Sequence, residues 1–176
     1  QMPKQTVKTS LVGKLGAKLK KAHEAHKNDE TKIPGGGDLP AGIEDGVAQL
    51  VECKFSQYEK GDKKGEYFFY AAGVVVEPKK VGNTVIEGRR TQIMEPLCDT
   101  PGRSRETVED HLAWIYNQLR LLGVDTSDLD VEELEATVEA LKEEAPYFNF
   151  RTWKGEPSKE YPNPRVNHTW LKAIEY

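Results

Sequence analysis

From Gly65 to Val76 the chain reads GEYFFYAAGVVV, with apolar residues on both parities. Side chains of a strand point alternately to its two faces, so residues two apart share a face. Phe68, Tyr70, Ala72, Val74 and Val76 form an apolar set suited to a core. Tyr67, Phe69, Ala71, Gly73 and Val75 form the second face, which opens with two aromatics where a half-buried strand carries polar residues. Four more stretches alternate. Residues 46–58 put Val51, Cys53 and Phe55 on one parity and Ala48 and Leu50 on the other, which predicts a bulge near Leu50–Val51 that turns both sets inward. Residues 84–97 predict a third strand, ended at Glu95-Pro96. Residues 147–154 set Phe148, Phe150 and Thr152 against Tyr147, Asn149, Arg151 and Trp153. The last strand, 166–176, sets His168, Trp170 and Lys172 against Thr169, Leu171 and Ala173.

Between the third and fourth strands the period becomes helical. Val108, Leu112, Ile115, Leu119 and Leu122 make one apolar stripe, predicting a helix from about Glu106 to Leu122. Thr107 with Asp110 forms a capping box, and Gly123 supplies the stop. His111 and Trp114 lie beside the stripe, where a histidine is expected to be satisfied or solvent-facing. A second helix, about Val131 to Glu144, has Leu134, Val138 and Leu141 as its apolar face and a glutamate-rich outer face. Residues 1–38 read as an arm: Leu11, Leu15 and Leu19 among Lys14, Lys18, Lys20 and Lys21 make a short basic amphipathic pattern weakened by Gly13 and Gly16. Its His23 and His26 are expected to be solvated, and no metal site is predicted. Pro34 and three glycines then make a linker. The predicted organisation is an arm and linker over 1–38 and one domain over 39–176, with a helical insertion about 104–146.

Strand, strand, strand, helical insertion, strand, strand is the order of elements in an oligonucleotide-binding (OB) fold. The predicted fold class is therefore mainly β with an α insert: a five-stranded OB-fold barrel with a two-helix insertion between strands 3 and 4. Such a barrel takes its ligand on strands two and three and on the loops that flank them. In this chain those features are Tyr67, Phe69, Arg89 and Arg90, the loop from Tyr58 through Lys63 and Lys64, and the loop from Lys154 to Arg165. Rings stack on bases, and cations neutralise phosphates. Tyr67, Phe69, Tyr147 and Trp153 are the candidate stacking residues. Lys54, Lys63, Lys64, Arg89, Arg90, Arg151 and Lys154 are the candidate phosphate contacts, with Tyr58 and Arg165 beside them in the loops.

The formal net charge of −4 argues against a polyanionic partner until its distribution is considered. Residues 1–32 carry eight lysines against three acids, whereas residues 103–146 carry four bases against twelve acids. Residues 147–176 are basic again, with five bases and three acids. A local field, not the total, governs affinity for a phosphate backbone. No apolar run approaches the ~18–20 residues of a membrane span, and the first residues lack an apolar core followed by a cleavage site, so a cytoplasmic protein without membrane contact is expected. Cys53 and Cys98 belong to no CxxC pair and are expected to be reduced and buried. No phosphate loop, GxGxxG, HExxH or GxSxG occurs, which predicts a protein without catalysis and without cofactors.

The segments EYFFYAAGVVVEP, LAWIYNQLRLLG, NFRTWKG and YPNPRVNHTW together resemble phage-type single-stranded-DNA-binding proteins of the OB-fold class. The resemblance covers about residues 39–176 and is one of pattern. It implies coating of single-stranded DNA in replication, recombination or repair, in a bacterial or phage-infected cell. Replication or recombination proteins and further copies of the chain would be partners. The chain departs from that pattern in its long insertion and in lacking an acidic C-terminal tail. The residues leave one alternative open: the same fold used as a protein-interaction or structural module, since rings on a sheet face suit a protein interface equally well.

Overall fold

The computed structural model describes residues 39–160 and 162–176. The amphipathic pattern at Leu11–Leu19, the histidines of the arm, the glycine linker and Tyr161 lie outside the described residues. The first strand, β1 (Gly46–Gln57), pairs antiparallel with β2 (Tyr67–Glu77). A two-residue hairpin, β3 (Lys80–Val81) and β4 (Thr84–Val85), precedes β5 (Arg90–Leu97). Helix α1 (Val108–Leu121), a 3₁₀ turn (Val131–Glu133) and helix α2 (Leu134–Glu144) follow. The chain closes with β6 (Tyr147–Lys154) and β7 (Val166–Ile174). The result is a mainly β fold built on one five-stranded antiparallel sheet in the order β5-β2-β1-β6-β7.

The sheet is not closed into a barrel, because its edge strands β5 and β7 share no backbone ladder. They approach through side chains instead. Trp170 Nε1 donates to Thr91 Oγ1 at 3.0 Å, and the Gln92 amide donates to His168 Nδ1 at 3.4 Å. Helix α1 lies against both edges, and α2 lies against β1.

The predicted bulge is present. Leu50 pairs with Gly73 and Glu52 with Ala72, so Val51 is the extra residue. Ala48, Leu50 and Cys53 are all buried as a consequence. The third strand differs from expectation. Gly82 and Gly88, both at positive φ, turn residues 80–89 into a hairpin and a tight turn, and pairing with β2 begins only at Arg90.

The two faces of β2 are the reverse of those predicted. Phe69, Ala71 and Val75 form the core face, and Phe68, Tyr70 and Val74 are only half-buried. The reason is steric. A Cβ at Gly73 would stand 2.6 Å from Cζ of Phe148, so the ring is admitted only by the parity that carries this glycine. Phe148 in turn lies 4.1 Å from the ring of Trp170. Phe69, Phe148 and Phe150 are fully buried, each contributing about 1.5–3 kcal/mol of burial.

Helix α1 begins at the Thr107–Asp110 capping box and ends before Gly123 at φ 97°. Its buried residues are His111, Ile115, Gln118 and Leu119, with Leu122 just beyond, so Val108 is exposed and Leu112 only half-buried. Helix α2 buries Leu134, Val138 and Leu141 as its periodicity requires. Both cysteines are free and buried.

Candidate nucleic-acid interface

The outward face of β1, β2 and β5 carries a ladder of rings with amines beside them. The turn after β1 is held by paired backbone hydrogen bonds, Tyr58 N–H to Glu66 O and Gly65 N–H to Tyr58 O, both 2.9 Å. Gly61 and Gly65 adopt positive φ there, a conformation open to glycine at little steric cost. This turn folds Tyr58 over Phe68, with ring centroids 4.7 Å apart, and sets Lys63 Nζ 5.8 Å from the Tyr58 ring. Two residues along β2, Lys54 Nζ stands 5.8 Å from the Tyr70 ring, and the Tyr70 hydroxyl donates to Gln92 Oε1 at 2.9 Å. Across the other ladder Tyr70 faces Met94, which is 54% exposed. Burial pushes the Tyr58 hydroxyl above its ordinary pKa. Cys98 and Glu95 add to that shift and Arg103 opposes it, so the ring stays a neutral phenol.

The loop 58–66 holds three lysines and three carboxylates, so its own charge is balanced. What distinguishes Lys63 and Lys54 is that they stand over rings. Lys64 is exposed in the same turn. Arg90 is committed to Glu52 at 2.8 Å, and this neutral pair bounds the ladder on one side. Arg89 is half-buried in the turn before β5, its carbonyl accepting from the Val75 amide at 2.8 Å.

The expected stacking residues separate. Phe69 is fully buried and packs on Phe55 at 5.4 Å, so the expectation that it meets a base is corrected: its face of β2 is the core face. Tyr67 is 47% exposed at the end of the sheet, between Gln57 and Leu97. Tyr147 packs on Tyr176 at 5.0 Å and stands apart from the ladder. Trp153 is 47% exposed on the outward face of β6, its indole N–H donating to Thr169 Oγ1 at 3.0 Å. Arg151 shares that face, and Lys154 and Arg165 are exposed at either end of the loop that follows. The candidates therefore fall into two patches. β6 pairs with β1 only at Gly46–Gln49, whereas the ladder begins at Lys54, about 16 Å further along an extended strand.

Sequence reasoning missed Phe68 and Tyr70, which it assigned to the core. The available signal was Gly73: a glycine among apolar strand residues marks a close approach, and hence the inward parity. It also missed Glu95. That carboxylate, 3% exposed on the inward face of β5, accepts two hydrogen bonds from Arg105, one from Nη2 at 2.8 Å and one from Nε. It also bonds His111 Nδ1 at 2.6 Å. His111 Nε2 meets Thr100 Oγ1 at 2.8 Å, and that hydroxyl donates to the Arg105 carbonyl at 2.6 Å. The bonds from Glu95 raise the Arg105 pKa further, and the guanidinium lies over the Trp114 ring at 5.1 Å. This cluster ties β5, and with it the ladder, to α1 and the loop before it.

Among the described residues no group of three or more His, Cys, Asp or Glu side chains could hold a metal, and no helix is long and apolar enough to cross a membrane. Compared with known proteins, the sequence matches no family model and no curated protein.

Proposed function

We propose that the chain binds single-stranded DNA without catalysis, as an OB-type protein akin to the phage single-stranded-DNA-binding class. The observation that carries this reading is the ladder Tyr58–Phe68–Tyr70 with Lys63 and Lys54 each 5.8 Å from a ring. Ring faces beside cations are what a flexible chain of bases and phosphates requires, each stacked base contributing roughly 1–3 kcal/mol. The strand order supports the OB reading, because an OB fold is a partly open five-stranded barrel that takes its ligand on its second and third strands. Here those are β2 and β5, counting the five long strands. Trp153, Arg151 and Lys154 form the second contact region, on β6 and at its end. Coating of a replication or recombination intermediate, with other copies or replication proteins alongside, is the role this binding would serve.

The exposed Met94 beside Tyr70, bounded by the neutral Glu52–Arg90 pair, favours a second reading: a protein-interaction module using the same face. Salt separates the two. Four cations, Lys54, Lys63, Arg151 and Lys154, each neutralising a phosphate, give a slope of log affinity against log salt of about −3. The experiment is a titration of tryptophan fluorescence with a long thymidine oligonucleotide at several salt concentrations, with duplex as control. Quenching by the single strand with that slope is expected. No response from either form, in folded protein, would reject DNA binding and leave the interaction module.

A further inference from the structure

A cavity of about 430 Å³ opens beside Trp153, between the segment leading into β1 and strands β6 and β7. Its size falls within the ~300–1,000 Å³ of small-molecule sites. Trp153 forms one wall, Ile43 and Leu171 contribute apolar surface, and Arg151 stands with Glu44 and Asp45 at its lining. The walls are pinned. The Thr152 amide donates to Ile43 O at 2.8 Å, and the Gly42 amide donates to Thr152 O at 2.9 Å. The Ile43 amide donates to Thr152 Oγ1 at 3.1 Å, and that hydroxyl donates to Pro40 O at 2.7 Å. The Trp153 indole N–H is held by Thr169 Oγ1 at 3.0 Å.

We infer that this cavity takes one nucleobase and selects for a base carrying an amine donor, cytosine, adenine or guanine, over thymine. The inference rests on the single-strand-binding reading and adds base preference to it. A stacking ladder is indifferent to base identity, because every base has a π-face. The Trp153 cavity differs in having both kinds of hydrogen-bonding group. Ionised carboxylates only accept hydrogen bonds, and a guanidinium only donates them. Cytosine presents an amine donor at one end of its pairing edge and two acceptors at the other. Guanine presents two adjacent donors on that edge, with acceptors at O6 and N7. Adenine presents its N6 amine beside acceptors at N1 and N7. Any of the three, laid against Trp153, satisfies a carboxylate and Arg151 together. Thymine has one donor between two carbonyl oxygens, so a carboxylate that reached N3–H would also face a carbonyl. The carboxylates also keep phosphates out of the cavity, leaving the backbone to Lys154 and the outer side of Arg151.

The test compares the full chain's affinity for a short thymidine oligonucleotide with its affinity for the same strand carrying one cytosine, one adenine or one guanine. One well-made bidentate contact is expected to give a preference of about tenfold. In the variant with Glu44→Gln and Asp45→Asn together, the ratio between the strands is expected to fall to near one. Salt-dependent binding of thymidine with no gain from any of the three substitutions would overturn the inference and leave the proposed function standing. Equal preference in native and variant proteins would overturn the role of the carboxylates, and with it the inference. Failure of every strand to bind would overturn both. The separate cytosine, adenine and guanine strands show which amine-bearing base is taken.

Discussion

Phe69 and Tyr70 are sequence neighbours on opposite faces of β2, so replacing each with alanine separates fold from interface. Phe69 is fully buried and packed against Phe55 with the rings tilted by 56°, and Phe69→Ala should cost about 3–5 kcal/mol of stability. The protein that remains folded should bind DNA as before. Tyr70→Ala removes a half-exposed ring. Its bond to Gln92 is worth about 0.5–1.5 kcal/mol and its contact with Lys54 about 0.5–1 kcal/mol, so stability should fall by about 1–2.5 kcal/mol. Loss of one stacked base should weaken binding by about 1–3 kcal/mol, roughly 5- to 150-fold. The salt slope should not change, because Lys54 keeps its charge. Urea unfolding followed by tryptophan fluorescence measures the first quantity, and oligonucleotide titration at several salt concentrations measures the second. The opposite result, binding lost in a stable Phe69→Ala protein and retained in full by Tyr70→Ala, would refute the assignment of the faces.

Glu95→Ala should destabilise the fold by about 1–3 kcal/mol, since it leaves the buried His111 Nδ1 without its partner and releases the half-exposed Arg105. A loss below about 1 kcal/mol in urea unfolding would mean that water reaches the Glu95–His111 pair. Gly73→Ala should cost about 1–3 kcal/mol, because its Cβ meets the Phe148 ring at 2.6 Å; a melting temperature equal to that of the native chain would contradict this packing. Burial, with a smaller contribution from the charge of Glu139, raises the Cys53 thiol from 9.0 to about 12. The folded value lies above the unfolded one, so the contribution to stability is intact below pH 9.0 and is lost as pH climbs toward about 12. Stability should fall across that window by up to about 1.4 kcal/mol per pH unit more than in Cys53→Ala. Parallel slopes for the two proteins in alkaline urea titrations would show that Cys53 does not titrate differently on unfolding.

Local rules account for much of this fold. Helix α1 starts at Thr107 and stops at Gly123 because a capping box and a positive-φ glycine act within a few residues of the chain. The bulge at Val51 was legible because two apolar parities on one strand can both turn inward only if the register shifts between them. β6 was legible for the same kind of reason: Phe148, Phe150 and Thr152 are buried, while Arg151 and Trp153 are outside. The inward face of β2 was not legible from alternation, because both of its parities are apolar. The choice was made by Phe148, some 75 positions away, whose ring fits only over Gly73. The same choice moved Phe69 into the core and Tyr70 to the surface, and so decided which rings can meet a ligand.

The cluster at Glu95 and the cavity at Trp153 are likewise tertiary. Glu95 reads in sequence as the polar end of a strand before Pro96, and His111 as a residue beside a helical stripe. Only the packing of α1 on β5 brings them to 2.6 Å and makes both buried. The open edge between β5 and β7 has the same origin. Element order is written in short-range periodicity, but whether two edges join by backbone or by side chains depends on what lies between them. Here Thr91, His168 and Trp170 meet at that edge, and their side-chain bonds take the place of a ladder. The sequence by itself therefore determined the five long strands, the two helices, their order and the caps of α1, because these depend on neighbours within a turn or a strand. The tertiary structure alone decided which face of β2 is inside, how the sheet's edges meet and which cations stand over rings, because each of these depends on atoms distant in sequence competing for the same space.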